Sequence, residues 1–269
     1  MGNGTARLIN KATNNQLPHI PLKTLRAELH IHTVLSPCAA VEMIPPIIVA
    51  EALERHIDLI AITDHNHTAN IEAVQQAAVG TPLTVLPGME LQTKEEVHTL
   101  CLFDTLEQSR AFQTIIDQHL PDIKNNPEFF GEQYVVDASG DFIRSEEQLL
   151  IISCNLSLKE AFNIVTEIGG LFIPAHVNRT KFGLLPVLGL VPTDITLDAL
   201  EISRHLTPQA ACKLYPQLNE YPLLIGGDAH FPDQFLGVNQ FIIEEPTISE
   251  LKMALHHQDG RNFSIIPDF

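Results

Sequence analysis

LRAELHIHT (residues 25–33) and DLIAITDHNH (residues 58–67) are the two stretches on which the fold turns. The first alternates with a period of two over 25–31, which predicts a strand and directs the imidazoles of His30 and His32 to one face. The second opens on a short apolar run, typical of a strand covered on both sides. Residues 46–55 between them have a helical pattern, so together the three segments make a β-α-β unit.

The alternation continues outward from that unit. A helix is expected over 70–79, strands over 84–88 and 97–103, and a helix over 105–120. Ser157 and Glu160 form a possible capping box for a helix over 157–168, which Gly169 and Gly170 end. The strand LFIPAH (171–176) follows, then DALEIS (198–203) and PLLIG (222–226), and a last helix-strand pair fills 248–266. Six or seven strands separated by helices favour an α/β barrel or a doubly wound sheet. Residues 1–23 lack periodicity and are read as a tail or packed extension, with 24–269 as a single domain. The turn-rich stretch after 120 marks an insertion at about 121–153, a candidate cap over the barrel mouth.

Ligand-type side chains recur at strand after strand, mostly at C-terminal ends, where barrel and open-sheet active sites form. His30 and His32 close the first strand, and Asp64, His65 and His67 follow the second. Glu90 follows the third, His98 lies in the fourth, His176 ends the fifth, and Asp228 and His230 end the last. Imidazoles and carboxylates together suit zinc, manganese or iron, and about eight candidates exceed what one tetrahedral ion uses, which implies two or three metals. Divalent cations about 3.5–4 Å apart would turn a bridging water into hydroxide and neutralise phosphoryl charge.

Composition narrows the classes further. Of 269 residues, 45% are hydrophobic and 18% charged, which fits a globular protein and excludes intrinsic disorder. The 33 Asp and Glu against 16 Lys and Arg leave −17, so no extended nucleic acid is expected as a partner. No apolar run reaches the roughly 18 residues that span a bilayer, so no membrane role is expected. Cys38, Cys101, Cys154 and Cys212 form no C-x-x-C pair and residues 1–10 lack a secretory apolar core, which points to the cytoplasm.

The ordered motifs HIHT (30–33), TDH (63–65), GMEL with Glu90, EVH with His98, PAH with His176 and DAH (228–230) resemble the PHP (polymerase and histidinol phosphatase) domain family over roughly residues 25–230. The resemblance implies an α/β fold of the distorted (β/α)7 barrel type, a di- or trinuclear site and phosphoesterase chemistry. By it, His30, His32, His65, Glu90, His98, His176, Asp228 and His230 are the expected metal ligands. Many members place an Asp or His a few residues after the first motif, where this chain has Ser36, Pro37 and Cys38, with Glu42 further on. Either Cys38 or Glu42 completes a third metal position, or the site is dinuclear, or Cys38 is a small buried hydrophobe.

Asp64 is read as a catalytic-site residue that holds an imidazole tautomer, the other reading being simply a turn residue. His205 or His67 is the expected acid for the leaving group, and Arg179 and Arg204 the expected phosphate contacts, with Lys181 weaker. The expected substrate is a small phosphorylated metabolite or nucleotide. An amidohydrolase-type reaction is the alternative, disfavoured because no Lys stands at a strand end; a non-catalytic metal-binding module is another. The oligomeric state is not legible in the sequence.

Overall fold

The computed structural model describes Met1 and residues 21–266, so the expected N-terminal extension lies almost wholly outside the described residues. In chain order the elements are β1 (Lys23–Ile31), α1 (Pro45–Glu54), β2 (Leu59–Ile62), α2 (Ile71–Ala77), β3 (Thr84–Gln92), β4 (His98–Leu102), α3 (Leu106–His119) and α4 (Pro127–Phe130). Then come β5 (Tyr134–Val136), β6 (Phe142–Ser145), α5 (Leu158–Glu167), β7 (Leu171–Pro174), α6 (Leu184–Leu188) and β8 (Leu200–Ser203). The chain ends with α7 (Pro208–Leu214), β9 (Leu223–Gly226), β10 (Asn239–Ile243), α8 (Ile248–Leu255) and β11 (Asn262–Ile265). The α5 capping box forms as its sequence predicts, with Ser157 Oγ accepting from the Glu160 N–H and the Glu160 carboxylate reaching back to the Ser157 N–H.

A curled seven-stranded sheet runs β11-β10-β1-β2-β3-β4-β7, and β8 and β9 form a separate parallel pair. Backbone bonds at one end complete a ring from these pieces. The Val177 N–H donates to Glu201 O at 2.8 Å, and across the β1 and β9 ends the His32 N–H donates to Ala229 O at 2.9 Å and the Ala229 N–H to His30 O at 3.0 Å. The ring β1-β2-β3-β4-β7-β8-β9 is a distorted seven-stranded barrel.

Two distortions position the site. First, β4 runs antiparallel to both β3 and β7, because the turn 93–97 is too short for a crossover helix. The first residue of β4, His98, thereby meets the last residue of β3, Gln92, at the same barrel end as the C-termini of the parallel strands. Second, the β1–β2 register shifts between Glu28 and Ile31. Leu29 belongs to the cluster that includes Leu59, Leu100, Leu171 and Ile173, whereas Ile31 packs with Ile60, Ile62 and the α1 residues Ile48 and Ala52. The irregularity changes which face the chain presents, as bulges do, and leaves both His30 and His32 in the site.

The β10–β11 ribbon extends the sheet beyond β1, and β10 is a strand that the sequence reading passed over. Its first residue, Asn239, is buried and uses its side-chain amide as a substitute for backbone. Oδ1 accepts from the Ile225 N–H at 3.0 Å, and Nδ2 donates to Ile225 O at 2.8 Å. Asn239→Leu strips both bonds from a buried peptide group, so stability to urea is expected to fall by about 2–4 kcal/mol.

Segment 121–153 holds α4 and the β5–β6 hairpin and packs on loops at the same end of the barrel. Tyr134 N donates to Val34 O, and Asn66 Nδ2 donates to the carbonyls of Leu150 and Ile152 at 2.7 Å each. Among the described residues, no helix is long and apolar enough to cross a membrane.

Candidate metal centre

The structure brings all eight sequence-selected ligand candidates to one point around Glu90, which is 1% exposed. Glu90 Oε1 lies 2.8 Å from His98 Nδ1, 3.0 Å from His176 Nε2 and 3.3 Å from His30 Nε2. Its other oxygen lies 3.0 Å from His65 Nδ1 and 3.3 Å from His32 Nε2. Asp228 Oδ1 faces His30 Nε2, His32 Nε2 and His230 Nδ1, each at 3.4 Å. Two of the residues that deliver these groups, His176 and Asp228, have φ of +30° and +45°, a left-handed backbone that non-glycine residues adopt at a cost.

The electrostatics are those of unlike groups forced together. Burial pushes the Glu90 carboxyl up, but His98, His30 and His65 outweigh it and hold the group well below the usual carboxylate range. Burial drives His98 down to about 4 against the pull of Glu90. His30 is raised despite burial, through Glu201, Glu90 and Asp228.

The donor set fits divalent cations. His30 Nε2, His32 Nε2, Glu90 Oε2 and His176 Nδ1 are buried and have no hydrogen-bond partner, an expensive arrangement unless something else takes their lone pairs. Three overlapping groups have donor atoms within 4.8 Å of one another: His30, His32, Glu90 and Asp228; His65, Glu90 and His98; and His32, His65 and His230. These groups could hold divalent ions.

Two buried carboxylates behind the centre escaped the sequence reading. Glu201 on β8 places Oε1 3.0 Å from His30 Nδ1 and accepts the His176 N–H at 3.0 Å, so it orients two candidate ligands at once. Glu28 on β1 accepts the N–H groups of Gly227, Leu236 and Gly237 at 2.9–3.2 Å and ties the Asp228 loop to the barrel. A lone acid within an apolar strand, as in ALEIS, was the available signal.

Asp64 touches no imidazole directly. Its oxygens accept from the Thr33 N–H, the Thr33 hydroxyl and the Ser36 hydroxyl, each at 2.7 Å, and Ser36 Oγ lies 3.0 Å from His32 Nδ1. Its influence on the centre passes through Ser36.

A cavity of about 630 Å³ opens beside the cluster, lined among others by Cys38, Arg179, Arg204, His205, Asp228 and His230. Arg179 pairs with the outer oxygen of Asp228, and Arg204 donates to Gly227 O at 3.1 Å. Lys181 is not in the lining. A second cavity of about 260 Å³ reaches His65, Glu90 and His98 between Phe182 and Ile151 of the 121–153 segment. His67 turns away, its Nδ1 accepting from the Ala69 N–H at 3.1 Å and its Nε2 lying 3.6 Å from Glu146. Glu42 is exposed and belongs to none of the three donor groups.

No family model matches the chain. An uncharacterised protein, YqxK, of Bacillus subtilis is 24% identical over 272 residues, covering 89% of this chain and 64% of the relative, so the chain spans less than two thirds of that protein. Among solved structures, the lesion-specific endonuclease Q of Pyrococcus furiosus has a TM-score of 0.63 at 20% identity, covering 90% of this chain and 58% of that one. A two-domain protein from Bacteroides vulgatus containing a predicted PHP-like metal-dependent phosphoesterase has a TM-score of 0.54 at 16% identity, covering 93% and 68%.

Endonuclease Q has also been solved with a 27-mer duplex substrate whose abasic lesion lies at its active site. That finding overturns the expectation that extended nucleic acid is excluded. The physical reason is that net charge averages over the whole surface, whereas an approaching phosphate responds to the field where it binds, so a total of −17 excludes no phosphate-bearing partner. In architecture, with its curled sheet and its strand-end cluster, the chain has the fold of the PHP-like metal-dependent phosphoesterases.

Proposed function

We propose that the chain is a metal-dependent phosphoesterase whose substrate is a nucleotide phosphate ester, either free or within a DNA strand. One observation carries the reading: the buried, unpartnered donor atoms around Glu90 adjoin a cavity that also holds Arg179 and Arg204. His30, His32, His65, Glu90, His98, His176, Asp228 and His230 are the proposed ligands. Divalent ions bound there supply charge for the phosphoryl oxygens and lower the pKa of a coordinated water.

The remaining roles belong to the chain's own side chains. Arg204 grips a phosphate oxygen, and Arg179 exchanges its Asp228 partner for the substrate. His205, exposed on the cavity wall beside Arg204, donates the proton to the leaving alkoxide. Asp64, through Ser36, keeps His32 in the tautomer that presents Nε2 to the centre.

The test is reconstitution of chelated protein with manganese, zinc or iron, followed by assays on p-nitrophenyl phosphate, nucleoside monophosphates, an abasic-site duplex and a cyclic amide. Metal-dependent turnover of a phosphate ester is expected. Turnover of the amide alone, or of nothing by the metal-loaded protein, refutes the proposal. For the accepted ester, Arg204→Ala is expected to raise KM about tenfold with kcat little changed, as loss of a charge-assisted phosphate contact does.

A further inference from the structure

We infer that Phe231 forms a nucleobase subsite, its ring stacking on the base of a nucleotide whose phosphate lies at the metal centre. The inference rests on the phosphoesterase reading above and deepens it: the ligand is a sugar phosphate that carries a planar base, either free or within a strand.

Phe231 directly follows the ligand candidate His230, and trans peptide geometry sets the two Cα atoms about 3.8 Å apart. Its backbone is extended, with φ of −137° and ψ of 151°, ahead of the short 3-10 turn Pro232–Gln234. The ring is 48% exposed and lines the same 630 Å³ cavity as Arg179, Arg204 and His205. It is the one aromatic ring other than imidazole among the lining residues, and the rest of that wall is polar side chains, glycine and Cys38.

A phenylalanine that serves packing is covered, as Phe235 is: four residues on, it is fully buried in the cluster with Ile48 and Ala52. Phe231 belongs to none of the three hydrophobic clusters and pairs with no aromatic ring among the described residues. Phe182, the other phenylalanine beside the centre, has a face already taken, since it stacks on His98 at 4.5 Å with an interplanar angle of 3°.

Apolar side chains scattered singly over a convex surface need no explanation. A ring inside a concave, polar cavity is different, because it sheds its water only when a flat ligand face covers it. The arginines of the cavity take phosphate oxygens, which leaves the ring for a part of the ligand that is planar and weakly hydrated. A base has such a face, and a phosphorylated sugar without a base has none. Every base presents a π-face, so the subsite selects nucleotides over other phosphate esters without choosing among bases.

The experiment uses the full, metal-loaded chain and two ligands that differ in the base alone, adenosine monophosphate and the ribose phosphate that lacks it. Phe231→Ala is expected to raise KM for the nucleotide about tenfold or more with kcat little changed, and to leave KM for the sugar phosphate as it was. Phe231→Tyr keeps a ring and should keep the wild-type KM for both. The sequence holds no tryptophan, so Phe231→Trp carries a sole fluorescent reporter, which the nucleotide should quench in a saturable titration and the sugar phosphate should not. A short single-stranded oligonucleotide is titrated in parallel. Quenching by either base-bearing ligand supports the subsite, and the tighter of the two identifies its source. Equal rises in KM for nucleotide and sugar phosphate in Phe231→Ala, or no quenching by either base-bearing ligand, overturns it. The titration needs no turnover, so quenching without hydrolysis of any phosphate ester refutes the phosphoesterase reading and leaves the base subsite standing.

Discussion

Glu90→Gln is expected to lower metal affinity by more than the roughly 100-fold that marks the upper end for losing an outer hydrogen-bond partner, and to abolish turnover with it. The two oxygens of Glu90 meet five imidazoles carried by four strands, and Glu90 belongs to two of the three donor groups. An amide keeps the volume but removes the charge and places an N–H where a lone pair was needed. The same change removes part of the counter-charge of His30 and His65, which are held above their ordinary range against burial by Glu201 and then Glu90 for His30, and by Cys38 and then Glu90 for His65. Breaking a buried pair by removing one partner costs about 3–5 kcal/mol, so the metal-free variant should also unfold at lower denaturant. Elemental analysis and urea titration read the two effects separately. Unchanged metal content in Glu90→Gln would remove Glu90 from the centre.

Gly226→Ala is expected to cost about 10–100-fold in metal affinity although residue 226 is no candidate ligand. A Cβ at this position would stand 2.2 Å from Glu201 Oε2 and 2.6 Å from Oε1. The carboxylate must therefore leave its place, and with it go the contacts to His30 Nδ1 and the His176 N–H. Glu201→Ala removes those contacts by another route and also relieves the clash. The double variant should therefore resemble Glu201→Ala alone, with strongly non-additive losses in a double-mutant cycle on metal affinity. Additive losses would mean that Gly226 acts on something other than Glu201.

The motifs were legible because each is local. A period of two puts His30 and His32 on one face, an apolar run marks β2, and a Ser three residues before a Glu starts α5; none of these needs knowledge of the rest of the chain. The antiparallel course of β4 was less so, because a single strand reads the same in either direction and only pairing with β3 and β7 sets its sense. The sequence expects the strands over 84–88 and 97–103 in direct succession but not their antiparallel pairing, and it does not show the β10–β11 ribbon.

By itself, the sequence determined the α/β character and the strand-end placement of the His, Asp and Glu motifs; its pattern left a barrel and a doubly wound sheet both open, and the family resemblance pointed to the barrel. Tertiary structure alone decided that Glu201 and Glu28 stand behind the centre, that Asp64 reaches His32 only through Ser36, and that Cys38 meets a histidine 192 residues away. It also decided that two arginines stand at the cavity of a chain with a net charge of −17. The division has one physical reason. Periodicity and capping are set by neighbours along the chain, whereas a buried carboxylate, a metal-ligand set and a local field are set by groups that only the closed barrel brings within a few ångströms.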